Sequence, residues 1–89
     1  MREDIYLWGC SFRYRGHLIC PIEVIGGYKT AVLDPFGQEI GDTETDRILP
    51  STEETWRAGR RLVNENLTHL EADAPELLAQ IPQGECHRV

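Results

Sequence analysis

No apolar run in this chain approaches the roughly 20 residues needed to cross a bilayer, which excludes a helical membrane span. Basic residues are scarce: nine Lys and Arg stand against fifteen Asp and Glu, a formal net charge of -6. Duplex-DNA readers usually carry a basic footprint, so the balance argues against that class. Length is short too. At 89 residues the chain holds one domain and excludes a (β/α)8 barrel or a full dinucleotide-binding fold. The three cysteines, Cys10, Cys20 and Cys86, are odd in number and contain no Cys-x-x-Cys pair, so a closed disulfide framework is not expected. The start, Met1-Arg2-Glu3-Asp4, is acidic and its apolar stretch ends at Trp8, unlike a secretory signal. The expectation is a soluble, cytoplasmic protein with no membrane partner.

What is present suffices for one small core: 40% hydrophobic residues, with two Trp, three Tyr and two Phe. Residues 1–82 read as a single α+β domain and 83–89 as a flexible tail without pattern. From Asp4 to Arg13, Tyr6, Trp8, Cys10 and Phe12 alternate as one strand face does. Leu18, Cys20, Ile22 and Val24 alternate in the next segment. A three-residue turn, Tyr14-Arg15-Gly16, would pair Arg13 with His17, Phe12 with Leu18, Cys10 with Cys20 and Trp8 with Ile22. Gly26-Gly27 supplies a second turn, since glycine accepts positive φ. Tyr28–Leu33 is a third strand whose register stays open between Thr30/Val32 and Ala31/Leu33. Asp34-Pro35-Phe36-Gly37 is a third turn, with Pro presetting the first central position and Gly closing it. Gln38–Gly41 is a short fourth strand. Pro21 falls in a central strand, so a bulge or unpaired position is expected beside it.

After an acidic connector, Ser51 and Glu54 have the spacing of a capping box. A helix over about 52–70 then places Trp56, Gly59, Val63, Leu67 and Leu70 on one stripe widened by Leu62. Asp73 caps a short second helix, Ala74–Ile81, with Pro75 in its first turn and Pro82 at its end. The fold class is α+β: a three- or four-stranded antiparallel β-meander packed against one long α-helix, with a short C-terminal helix.

Chemistry-bearing motifs are few. Cys10, His17, Cys20, Cys86 and His87 lack zinc-ligand spacings, so no metal and no cofactor is expected. Ser11, Ser51 and the histidines form no recognisable nucleophile–base arrangement, and the chain is read as non-catalytic. Around the first hairpin, Arg13, Tyr14, Arg15 and Lys29 mix bases and aromatics, as nucleic-acid contacts do. The sheet-plus-helix plan resembles the plant APETALA-type and phage-integrase arm-binding domains. Tyr14-Arg15-Gly16 and the Ala31–Gly37 stretch carry the likeness to the first of these. It covers about half the chain and lacks the basic strand residues such readers use.

Two surfaces remain. Residues 34–54 hold seven acids and one base, a net of -6 equal to that of the whole chain; Asp42, Glu44 and Asp46 form an acidic rim able to steer a basic partner. Ile5, Leu7, Ile19 and Ile25 point away from the Tyr6–Trp8 face, an outer apolar set that meets either the C-terminal helix or another chain. The expected function is a small protein-binding module of prokaryotic or phage type, an inhibitor or accessory protein, contacting another protein or a second copy of itself. The alternative is a nucleic-acid-contacting domain using Arg13, Tyr14, Arg15 and Lys29.

Overall fold

In the computed structural model, which describes residues 4–80 and 87–88, the first hairpin turns on only two residues. Arg15 and Gly16 both have positive φ, 51° and 83°, the conformation whose twist matches paired strands. Tyr14 therefore opposes His17, Arg13 opposes Leu18 and Phe12 opposes Ile19. The three-residue turn expected from sequence is corrected by one position. Since side chains alternate, that slip replaces Leu18 with Ile19 on the face shared with Phe12.

The first strand is also broken. Strand β1 (Ile5–Tyr6) pairs with Glu23 and Ile22, and strand β2 (Phe12–Tyr14) follows a 3-10 turn at Trp8–Cys10. From Phe12 back to Tyr6 the chain takes six steps, while the facing strand takes three, from Ile19 to Ile22. An odd excess inverts the faces, so Tyr6 lies with Ile22 on the side opposite Phe12. Neither Trp8 with Ile22 nor Cys10 with Cys20 forms a ladder pair. The cause sits across the ladder at Pro21, in the eight-residue strand β3 (His17–Val24). Its carbonyl accepts Leu7 N–H at 2.9 Å, so its missing N–H also faces the detour, where an unbroken strand would have needed a donor.

Strand β4 (Gly27–Leu33) pairs with β3 from Val24↔Gly27 to Leu18↔Leu33. The turn between them is Ile25-Gly26, one position before the glycine pair that was expected to form it. Gly27 instead begins the strand, at a position where a Cβ would strike the Leu49 carbonyl. At that point Tyr28 and Leu49 exchange both backbone hydrogen bonds, at 2.9 and 2.7 Å. The open register resolves with Thr30 and Val32 toward the helix, both buried, and Ala31 and Leu33 on the other face. The Asp34–Gly37 turn forms as expected. Gly37 N–H donates to Asp34 O at 3.0 Å, and the Asp34 carboxylate accepts from Phe36 N and Gln38 N. Strand β5 (Glu39–Ile40) pairs with Val32 and Leu33.

Helix α1 runs Thr52–Asp73, three residues past the expected end, with Ser51 Oγ accepting from Glu54 N and acids in the first turn that suit the helix dipole. Leu62, Val63 and Leu67 form the core with Phe12, Ile19 and Val32, while Trp56 and Leu70 pack at its border. Helix α2 is shorter than expected, Pro75–Leu78; its cap is Ala74 without a side-chain bond, so Asp73 does not cap it. It packs against α1. Ile81 and Pro82 lie outside the described residues, as do 83–86 and Val89 of the expected tail. His87–Arg88 form a short strand, β6, on the free edge of β2. The antiparallel sheet runs β5-β4-β3-β2-β6, with β1 also on β3. Among the described residues no helix is long and apolar enough to cross a membrane.

Candidate functional site

Helix α1 covers one face of the sheet. On the other, Cys20, Ile22, Val24 and Ala31 form a second buried cluster, the registers placing these side chains away from α1. The Leu7–Cys10 turn borders it. Burial pushes the Cys20 thiol up to about 11, partly offset by a hydrogen bond from the Leu7 backbone and reinforced by Cys10. Such a thiol is inert at neutral pH.

Beside Ile22, Tyr6 and Trp8 stack with ring centroids 5.4 Å apart and planes 15° from parallel. They remain 39% and 53% exposed. From Tyr6 and Ile22 an open groove of about 620 Å³ runs across Lys29 to the 39–46 segment, with Asp4, Glu39 and Asp46 on its rim. This pair was not foreseen as a surface, because unbroken alternation put it inside. Pro21, with no N–H to offer the facing strand, is the sequence signal for the interruption.

The expected outer apolar set does not come together. Ile19 is fully buried beneath α1, against Gly59, because the two-residue turn rotates it inward. Ile5 opposes Glu23, so it lies on the α1 side at the strand end, 49% exposed. Leu7 is half-buried, and Ile25 projects from the second turn, 71% exposed.

The acidic rim is locally matched. Asp42 accepts both hydrogen bonds of Arg61 Nη2 at 3.1 Å and also caps its own loop at Glu44 N and Thr45 N. These bonds hold its carboxyl below the usual range although partial burial opposes them. Glu44 pairs with Arg47 at 3.0 Å and Asp46 with Lys29 at 3.3 Å. Of the basic hairpin set, Tyr14 Oη and Arg15 Nη1 both donate to Asn64 Oδ1, at 3.1 and 2.7 Å. Lys29 is engaged by Asp46, and Arg13 is exposed on β2. The four do not converge on one surface.

His17 is fully buried. Its Nδ1 lies 3.1 Å from Arg15 O and its Nε2 3.0 Å from Asn66 Nδ2. A carbonyl can only accept and an amide NH2 can only donate, so the ring is the neutral tautomer with the proton on Nδ1. Ser11 donates to Trp8 O at 2.6 Å and Ser51 caps α1, which occupies both hydroxyls. Among the described residues no three His, Cys, Asp or Glu gather as metal ligands, and Cys86 lies outside those residues. Comparison with protein-family models, with curated proteins and with solved structures finds no match to this chain.

Proposed function

We propose that this chain is a protein-binding module that docks a partner through the helix-free face of its sheet, without catalysis. The observation that carries the reading is the stacked, exposed Tyr6–Trp8 pair beside a buried apolar floor. Tyr and Trp dominate interface hot spots, where large rigid rings bury area at little entropic cost. The acidic residues around the groove give it edges of defined charge. Relative to the expectation from sequence, the apolar contribution moves from Ile5, Leu7, Ile19 and Ile25 to Tyr6, Trp8 and Ile22. Asp42 becomes a structural residue, tying its loop to α1. Affinity capture from the source organism with wild-type and Tyr6→Ala/Trp8→Ala baits tests the reading. A partner held by the wild type and lost by the variant, with circular dichroism unchanged, is expected. An identical set of captured proteins would overturn it.

A further inference from the structure

The same groove carries an imbalance of charge. Around it, Asp42 is answered by Arg61 and Asp46 by Lys29, whereas Asp4 and Glu39 make no ion pair among the described residues. Both act on Tyr6, whose phenol is pushed above its ordinary value first by burial and then by Glu39 and Asp4. The result is an aromatic and aliphatic floor, Tyr6 and Ile22, in a groove also lined by two carboxylates that have no ion-pair partner among the described residues.

That combination discriminates among partners. A phosphate or an acidic peptide would be repelled by the rim. A hydrophobic segment would leave the two carboxylates desolvated and unpaired, which is costly. A guanidinium suits all three elements. It is planar and weakly hydrated, it stacks on an aromatic face, and it binds a carboxylate through two parallel N–H bonds. The geometry points to an arginine-bearing basic peptide segment of a partner protein as the occupant of the groove between Tyr6, Asp4 and Glu39. This identification rests on the docking reading above and narrows it to a partner chemistry. Lys29 is then a built-in competitor: its ammonium lies in the groove and holds Asp46.

The test titrates the full ¹⁵N-labelled chain with a synthetic peptide of alternating Arg and Gly. The control peptide carries citrulline for arginine, which keeps the shape and removes the charge. Expected are saturable shifts at Tyr6, Ile22, Lys29 and Glu39 with the arginine peptide alone. Asp4→Asn and Glu39→Gln each weaken binding by about five- to tenfold, and Lys29→Gln tightens it by freeing Asp46. Glu71→Gln, an exposed change near the far end of α1, leaves binding unchanged. The inference is overturned if the groove resonances do not move, or if Glu71→Gln weakens binding as much as Glu39→Gln. The latter would mean diffuse attraction to an acidic chain. Loss of the native partner in Tyr6→Ala/Trp8→Ala without any arginine-peptide binding would retain the docking face and refute its basic occupant. Arginine binding that depends on Glu39, with partner capture indifferent to Tyr6 and Trp8, would refute the docking reading alone.

Discussion

Gly59 of α1 rests directly on Ile19 of β3: a Cβ at position 59 would stand 2.5 Å from Cγ2 of Ile19. The glycine is what lets the helix approach the sheet that closely. In an open helix Gly59→Ala would gain about 1 kcal/mol of propensity. Here the added methyl overpacks a fully buried contact, at a cost of roughly 1–3 kcal/mol. Chemical denaturation of Gly59→Ala is expected to show net destabilisation, and the double variant with Ile19→Ala, which removes the facing Cγ2 methyl, to lose less than the sum of the two single changes. A stabilised Gly59→Ala would refute the close contact.

A second prediction concerns Gly27, whose Cβ would meet the Leu49 carbonyl where that residue bridges to Tyr28. Gly27→Ala is expected to cost about 2 kcal/mol or more, from the clash, the strained positive φ and the lost bridge bonds. Hydrogen exchange at the Tyr28 and Leu49 amides reads it directly. Both should lose protection before the centre of β3 does.

His17 makes stability depend on pH. Burial lowers its pKa below 6.5, the ordinary value, against the Arg15 carbonyl and Asp34, which favour the charged form, while the Arg15 charge opposes it. The unfolded chain then binds the proton more readily, so stability is fully present above about pH 6.5 and falls as the pH drops toward the folded-state value. Denaturation midpoints between pH 7.5 and 5 should show this slope, and it should be reduced in His17→Gln. A midpoint flat across that range in the wild type would contradict the buried, neutral ring.

The Asp42–Arg61 pair is half-exposed, so its contribution is modest. Asp42→Asn should cost about 0.5–1 kcal/mol, while Asp42→Ala should cost more because the loop caps at Glu44 N and Thr45 N go as well. Because the folded-state carboxyl pKa is depressed, this stabilisation is present above the ordinary carboxylate value and is lost as the pH falls below it. Comparing acid titrations of wild type and Asp42→Asn isolates it.

The long helix was legible because its evidence is local and redundant. Ser51 and Glu54 mark its start, and Gly59, Val63 and Leu67 repeat at helical spacing. The Asp34–Gly37 turn was legible for the same reason, since each residue acts within four positions. The first hairpin was not. From Leu18 to Ile22 every residue is apolar or proline, the mark of a strand buried on both faces, and such a run carries no alternation to choose a register. A two- and a three-residue turn at Arg15-Gly16 both satisfied the local pattern.

The amino-acid sequence by itself determined the α+β class, the succession of antiparallel strands followed by a long and a short helix, the helix cap and stripe, and the concentration of negative charge between residues 34 and 54. All of these follow from short-range sterics, hydrogen bonding and composition. Only the tertiary structure decided which side of the sheet each apolar residue serves. Ile19 had to fill the space above Gly59, and Pro21 could not donate to a neighbouring strand. The resulting three-residue excess turned Tyr6 and Trp8 out of the core and onto the open face. It also decided that Asp42, Glu44 and Asp46 meet Arg61, Arg47 and Lys29, two of these partners lying far along the chain. The excess negative charge of the groove is left to Asp4 and Glu39.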